Sequence, residues 1–123
     1  MIEQMELFPS PSKIEIEDVR ELLKKYPSMC HTLKVLDNKT ELTIYEQQVY
    51  QEYSVKKNQI EMAVQCILDQ EIRGIIHFRF IEKNQRWATV TRWDRFTDRS
   101  LDRKIVEGIE SIAGTLKLIG AIK

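Results

Sequence analysis

Apolar residues recur every three or four positions along most of this chain, which is the spacing of one face of an α-helix. The clearest stripe lies near the C-terminus and comprises Leu101, Ile105, Ile109, Ile112, Leu116 and Ile119. Shorter stripes run through residues 16–26, 42–68 and 72–80. Only 4 Gly and 3 Pro are present, which argues against a loop-rich β sandwich. The pattern predicts an all-α fold, a small helical bundle of about four to six helices.

Proline and acidic residues indicate where the first helices begin and end. Pro27 should end the first helix just before it, because a residue that precedes proline avoids the helical region. The run 41–68 fits either one long helix or two helices with a kink near Ser54. A further helix fits residues 69–82, where Asp69 near the start suits the positive end of the helix dipole.

The C-terminal half predicts a short helix, a turn of about three or four residues and a longer helix. Thr97 can cap the longer helix by accepting from a backbone N–H, and Gly120 fits the position just past its end. This is the layout of a helix-turn-helix, whose second helix enters the major groove of DNA. The predicted core of the motif comprises Trp87, Val90, Trp93, Phe96, Leu101 and Ile105.

Three segments follow from these patterns. Residues 1–14 contain two of the three prolines and no helical period, so we expect a disordered N-terminal arm. Residues 15–68 should form N-terminal helices used for packing or oligomerisation. Residues 69–120 should form the helix-turn-helix domain.

The formal net charge is zero, but the charge is unevenly distributed. Residues 1–70 hold 8 Lys/Arg and 12 Asp/Glu, a net charge of −4. Residues 71–123 hold 11 Lys/Arg and 7 Asp/Glu, a net charge of +4. A polyanion would therefore bind the second part, and the acidic first part suits solubility or a protein partner.

The two cysteines do not indicate a disulfide framework or a metal site. Cys30 and Cys66 lack the close pairing of a zinc motif and are typical of thiols in a reducing compartment. We expect neither a metal nor another cofactor. No signal peptide and no membrane-spanning run are seen, so we expect a cytoplasmic protein without membrane contact.

The longer helix of the motif carries the residues that could read bases. Arginine can form two hydrogen bonds with guanine, and aspartate can accept from the amino group of cytosine. The candidate base-contacting residues are Arg99, Ser100, Asp102 and Arg103. The candidate phosphate-contacting residues are Arg86, Arg92, Arg95, Thr97 and Lys104.

The same residue types also make ordinary surface ion pairs at helical spacing. Periodicity alone therefore leaves DNA binding and a charged helical hairpin about equally favoured. Asp94, Asp98 and Asp102 repel phosphate, which argues against strong non-specific binding. They favour either specific docking or weak affinity.

Residues 68–116 carry a more detailed pattern. It begins with a leucine, an arginine and a run of the form I-x-x-R-F, here Leu68, Arg73, Ile76, Arg79 and Phe80, followed by Glu82. It continues through the motif at Trp87, Val90, Phe96, Thr97, Ser100, Leu101, Gly108 and Ile109. These positions resemble the C-terminal promoter-reading region of bacterial sigma factors. The chain looks closest to phage late-gene transcriptional regulators of the ArpU and RinA type.

The sequence departs from the pattern of that family at three places. Asp94 and Arg95 occupy a turn that usually contains glycine, and one residue is inserted before Trp87. Asp102 stands where a basic or polar residue is common. The front half matches only through residues 21–26, which resemble a helix of these regulators.

The resemblance implies a sigma-like helix-turn-helix and a sequence-specific DNA-binding transcriptional regulator encoded by a phage or prophage. Such a protein acts near a promoter on double-stranded DNA with RNA polymerase, in the cytoplasm of a bacterial host. Because a single small motif buries little DNA surface, we also expect a homo-oligomer, with the apolar and Tyr-bearing run 42–68 as the candidate interface. One alternative is a small terminase-like subunit that recognises DNA for phage packaging. Another is a protein-only adaptor that docks on RNA polymerase. An enzyme is not expected, because no glycine-rich phosphate loop, nucleophile elbow or paired-histidine motif is present.

Overall fold

A computed structural model of the chain describes residues 10–122. These residues form five α-helices and no β-strand, so the all-α prediction is confirmed. The helices are α1 Lys13–Asp37, α2 Ile44–Gln65, α3 Gln70–Ile76, α4 Arg86–Arg92 and α5 Asp98–Leu118. After α3 the chain continues directly into π-helical turns at His77–Ile81, which we call the π segment.

Capping boxes begin the two longest N-terminal helices. The Ser12 hydroxyl accepts from the Glu15 N–H at 3.2 Å, and the Glu15 carboxylate accepts from the Ser12 N–H at 2.7 Å. Thr43 and Glu46 repeat this arrangement at the start of α2. Each box satisfies two backbone donors that the first turn of a helix leaves unpaired. Of the two possibilities for the run 41–68, the structure shows one helix, α2, without a break at Ser54.

The predicted helix signals at Asp69, Thr97 and Gly120 are confirmed. Asp69 caps α3, and Thr97 caps α5 by accepting from the Ser100 N–H at 3.1 Å. Beyond the end of α5, Gly120 adopts a φ of 78°, in the left-handed region that glycine enters without steric cost. Its N–H donates to the Lys117 carbonyl at 3.1 Å, which closes the last turn.

The expected arm over residues 1–14 is too long. Ser12 is already the cap of α1, and residues 13 and 14 are helical. The Lys117 ammonium also donates to the Ser10 carbonyl at 3.4 Å and to Glu15 at 3.1 Å, which ties this part of the chain to α5. Residues 1–9 lie outside the described residues.

The prediction that Pro27 ends the first helix is wrong, because α1 continues through it to Asp37. Proline removes one backbone hydrogen bond and crowds the carbonyl of the preceding turn. Pro27 lies on the exposed side of α1, where carbonyls of long helices tilt toward solvent. On the other side Tyr26 and Met29 are buried, as is Leu33 beyond the proline. Burial of that continuous face outweighs the local preference.

A single hydrophobic core joins both halves of the chain. α5 contacts α1, α2 and α3, and α1 also packs along α2. The main cluster comprises Val19, Leu23, Tyr26, Met29, Ile60, Ala63, Val64, Ile67, Ile72, Ile76, Ile109, Ile112, Ala113 and Leu116. The cluster therefore crosses the boundary that the sequence predicted at residues 68 and 69.

Polar contacts show the direction of the packed helices. The Tyr50 hydroxyl donates to Asp37 at 2.6 Å, and the buried Tyr26 hydroxyl donates to Glu61. These pairs place the end of α1 beside the start of α2, so the two helices are antiparallel. Burial, together with the bond to Glu61, raises the pKa of Tyr26 above its ordinary range.

One of the six residues predicted to be buried in the motif is exposed. Leu101 is buried, and Val90, Trp93, Phe96 and Ile105 are half-buried, but Trp87 is 72% exposed. Thr89 is the fully buried residue of α4 instead, and its hydroxyl donates to the Gln85 carbonyl at 3.2 Å. That bond satisfies the hydroxyl within the helix, so the side chain can face the protein interior.

Gly108 lies where α5 packs tightly against α3. A Cβ atom at this position would lie 2.4 Å from Cγ1 and 2.6 Å from Cδ1 of Ile76. Ile76 is completely buried, so it has little room to move away. Gly74, in the middle of α3, has no atom within 4 Å of the corresponding position.

We expect Gly108→Ala and Gly74→Ala to change the free energy of unfolding in opposite directions. Alanine favours the helix over glycine by about 1 kcal/mol, and Gly74→Ala should gain that amount. At Gly108 the clash with Ile76 should outweigh the gain, because overpacking costs about 1–3 kcal/mol. Urea unfolding followed by circular dichroism measures both. A Gly108→Ala protein as stable as Gly74→Ala would contradict the close packing of α5 on α3.

Candidate nucleic-acid interface

The first two turns of α5 bury one residue and expose the opposite face. Leu101 is buried there, as are Gly108, Ile109 and residues 112–116 further along the helix, whereas Arg99 and Arg103 are exposed. These two arginines are four positions apart, so they lie on one face of α5. Neither has a carboxylate partner among residues 10–122. Their guanidinium groups are therefore available to an external acceptor.

Asp102 and Arg86 bind each other. The guanidinium donates to the two carboxylate oxygens at 2.5 and 3.3 Å. This bond and the charge of Asp102 raise the pKa of Arg86 above its ordinary value. Both side chains are about half exposed, at 50% and 52%. The structure thus joins a residue predicted to contact bases to one predicted to contact phosphates, and ties the start of α4 to α5.

Glu71 of α3 pairs with two other predicted phosphate contacts. Its carboxylate binds Arg95 and lies 3.6 Å from the Lys104 ammonium. Both cations also lie over the ring of Phe96, at 4.8 Å for Arg95 and 5.0 Å for Lys104. Cations at such distances are attracted to the negative face of an aromatic ring. Phe96 thereby holds the connection between α4 and α5 beside α3.

Sequence reasoning missed the role of Glu71. It lies 24 and 33 positions before its two partners, and the sequence analysis assigned it no role. No local spacing rule links residues so far apart, because such a pair depends on how α3 packs on α5. Only the tertiary structure brings Glu71 beside Arg95 and Lys104.

Arg92 is held by aromatic rings and has no carboxylate partner among the described residues. Its guanidinium carbon lies 4.9 Å from the centre of the Phe78 ring and 5.3 Å from that of Trp93. These two rings pack edge to face at a centroid distance of 5.3 Å. The contacts keep Arg92 at the end of α4 in a defined place while its charge stays available.

The π segment supplies Phe78 to this aromatic cluster. The turn after it is fixed by hydrogen bonds from the Asn84 side chain to the Phe78 carbonyl and from Arg79 to the Asn84 carbonyl, both 2.9 Å long. Lys83 in this turn has a φ of 61°, a conformation that non-glycine residues adopt rarely. The packing of α4 on the π segment therefore rests on a tightly bonded turn.

Thr97 and Ser100 lie at the start of α5. The Thr97 hydroxyl accepts from the Ser100 N–H, and the Ser100 side chain is half-buried. A hydroxyl that accepts one hydrogen bond can still donate its proton, so Thr97 could donate to a phosphate oxygen. The positive end of the helix dipole favours an anion at the same place.

The six predicted cations thus divide into two groups. Arg86, Arg95 and Lys104 are paired with carboxylates. Arg92, Arg99 and Arg103 have no such pairing within residues 10–122. A polyanion would meet three cations without a carboxylate partner among these residues, and three that would first have to exchange one. The salt dependence of binding to duplex DNA should therefore be modest.

The described residues give no sign of a metal centre or of a membrane span. Across residues 10–122, no three His, Cys, Asp or Glu side chains cluster in a way that could hold a metal ion. Cys30 and Cys66 are free and half-buried. In the same range no helix is both long and apolar enough to cross a bilayer.

Comparisons with known proteins add no relative to this description. No protein-family model, no curated protein and no solved structure matches the chain.

The two tryptophans should report different environments. Trp87→Phe leaves only Trp93, which packs against Phe78 and Arg92, and Trp93→Phe leaves only the exposed Trp87. We expect acrylamide to quench Trp87 fluorescence markedly more than Trp93 fluorescence, because collision with the quencher requires exposure. Emission from Trp87 should also lie at longer wavelength. Equal quenching of the two variants would contradict the orientation of α4.

Proposed function

We propose that this chain is a sequence-specific DNA-binding transcriptional regulator that reads the major groove with the first turns of α5. One observation carries the proposal: Arg99 and Arg103 are exposed and have no carboxylate partner among residues 10–122, on the helix that follows a short helix and a turn. The connection between α4 and α5 spans residues 93–97. A helix-turn-helix protein presents its recognition helix in this way.

The part of the DNA that each arginine would contact follows from the side chains around it. Arg99 and Arg103 would contact base edges, where a guanidinium can make two hydrogen bonds to guanine. Arg92 would contact a backbone phosphate, because it lies at the end of the preceding helix and keeps its charge. Thr97 would add a hydroxyl contact to the same backbone.

The packing of α5 supports specific rather than loose contact. Base recognition needs side chains held within a fraction of an ångström of their target positions, on an element that does not move. The C-terminal part of α5 is fixed in the core, and Asp102 and Glu71 hold the residues on either side of its exposed face. The paired carboxylates lower non-specific attraction to phosphate, so a larger share of the affinity would come from bases.

The resemblance to phage late-gene regulators supports the cellular part of the proposal. On that basis the protein would be encoded by a phage or prophage and act near a promoter together with RNA polymerase.

Tight binding by such a small motif usually needs two copies. Ile44 and Tyr45, which are 76% and 73% exposed at the start of α2, would be available to a second copy.

A protein-only adaptor that docks on RNA polymerase is the second candidate. The observation that favours it is the pairing of Arg86, Arg95 and Lys104 with carboxylates, which leaves a surface of mixed charge. Mixed charge is common at protein interfaces and less suited to a polyanion. A packaging subunit would differ from both candidates by assembling into a large ring.

We expect alanine variants of the arginines to change DNA binding in two distinct ways. Arg99→Ala or Arg103→Ala should each lose about 1–3 kcal/mol on the preferred sequence and flatten base preference at one position. Arg92→Ala should weaken binding to all sequences alike and lower the salt slope by about one unit. The measurement is selection from a random duplex pool, followed by titrations at several salt concentrations.

Lys25→Ala is the matched control, because Lys25 is an exposed cation of α1 without a carboxylate partner among the described residues. It should leave DNA affinity unchanged. Loss of binding in Lys25→Ala equal to that in Arg103→Ala would mean that only net charge matters. Absence of any duplex binding at low salt would favour the adaptor.

A further inference from the structure

A groove runs between α1 on one side and the π segment and α5 on the other. It consists of two adjoining cavities of about 410 and 370 Å³ that share Leu23, Lys24, Arg79 and Phe80. Because the cavities share these residues, they form one elongated depression, which we call the basic groove. The exposed face of Arg99 and Arg103 is not part of its lining.

Cations line both walls of the basic groove. Arg20 and Lys24 lie one turn apart on the α1 wall, and Arg79, Lys83 and Arg86 lie on the opposite wall. Asp102 is the one carboxylate among the lining residues, and Arg86 already occupies it.

The α1 cations have only weak internal partners. Arg20 lies 3.4 Å from Glu17, and Lys24 lies 3.1 Å from Glu21. Both are exposed pairs between neighbouring turns of one helix, and such pairs contribute little. The groove therefore has a positive charge that its own residues do not balance.

The floor of the basic groove is apolar. Leu23 and Ile109 are each only 2% exposed at its base, and Phe80 and Ile105 are half-buried beside them. Val106 forms part of the edge and is 36% exposed. The groove thus offers an apolar strip between two rows of positive charge.

We propose that the basic groove binds an acidic amphipathic peptide segment of a partner protein. The apolar side chains of the segment would lie on Phe80, Ile105 and Val106, above the buried Leu23 and Ile109, and its carboxylates would meet the cations of the two walls. Binding of an amphipathic segment in a hydrophobic groove is a common mode of protein recognition, and the flanking charges give it selectivity. The excess of cations over carboxylates among the lining residues indicates that the occupant is acidic.

Other occupants fit the groove less well. Duplex DNA presents a convex, fully charged backbone, and a concave strip of buried aliphatic residues gives it no partner. A compact anion would need only one of the two cavities, whereas an extended or helical segment uses both. The elongated shape together with the two charged walls favours a peptide.

This inference goes beyond the proposed DNA binding and does not depend on it. On α5, Asp102, Ile105, Val106 and Ile109 line the groove, and Arg99 and Arg103 lie outside its lining. Val106 is one helical turn from Arg103, so the variant that separates the two functions is the one on the α1 wall. Lys24→Glu should leave DNA binding unchanged and Arg99→Ala should leave peptide binding unchanged, so each function can fail without the other.

The test uses three fluorescein-labelled peptides of about twelve residues. The first carries Glu and Asp around Leu and Phe at helical spacing. The second replaces every acid by Gln or Asn, and the third keeps the acids but replaces the apolar residues by Ser. Fluorescence anisotropy with the full chain should show saturable binding of the first peptide and at least about tenfold weaker binding of the other two.

Two variants and a matched control locate the site. Lys24→Glu reverses a charge on the α1 wall, and Val106→Asp places a carboxylate at the edge of the floor. Both should weaken binding of the first peptide by about tenfold or more. Lys25→Glu makes the same change at the adjacent residue, which lies outside the groove, and should change the affinity by less than about twofold. Circular dichroism confirms that each variant is folded.

Four results would overturn the proposal. They are equal affinity for the neutral peptide, equal loss in Lys24→Glu and Lys25→Glu, displacement of the peptide by short duplex DNA, and loss of peptide binding in Arg99→Ala. Sedimentation that shows a dimer converted to a monomer by Lys24→Glu would assign the groove to a second copy of the chain instead.

Discussion

The burial of the C-terminal part of α5 is the constraint on which the rest of the structure depends. This helix contacts α1, α2 and α3, and Gly108 lets it approach Ile76 of α3 at a distance that a side chain would prevent. Because the C-terminal part is fixed by three neighbours, the first two turns of α5 have a defined direction. The faces that carry Arg99 and Arg103, and the basic groove beside them, are both consequences of that packing.

The distribution of carboxylates then decides which cations are available. Asp102 holds Arg86, and Glu71 holds Arg95 and Lys104, so the paired residues act as braces between helices. Exposed ion pairs contribute little free energy of folding by themselves. Here they connect α4 to α5, and they connect both the α4–α5 connection and α5 to α3. Although the formal net charge of the chain is zero, two groups of cations exceed the carboxylates beside them. One group is Arg92, Arg99 and Arg103, and the other lines the basic groove.

Local signals were predictable from the sequence, and long-range ones were not. The stripe from Leu101 to Leu116, the helix start near Asp69 and the cap at Thr97 depend on a few neighbouring residues, and each is found where the sequence placed it. Ile119, the last residue of the predicted stripe, lies past the end of α5 and is 42% exposed. Pro27 was misleading, because burial on the other side of α1 outweighs its local preference. Trp87 was assigned to the core because a helix of two turns gives too few positions to fix which face is buried.

Amide hydrogen exchange along α5 tests the central claim most directly, namely that one helix combines a fixed C-terminal part with an exposed recognition surface. We expect amides of residues 108–116 to exchange most slowly in the free protein and those of residues 98–104 to exchange faster, because local opening is easiest where burial is least. Addition of a selected DNA duplex should slow exchange in residues 92–104 and leave residues 108–116 unchanged. Uniform exchange along α5, or DNA-induced protection confined to the walls of the basic groove, would contradict the account.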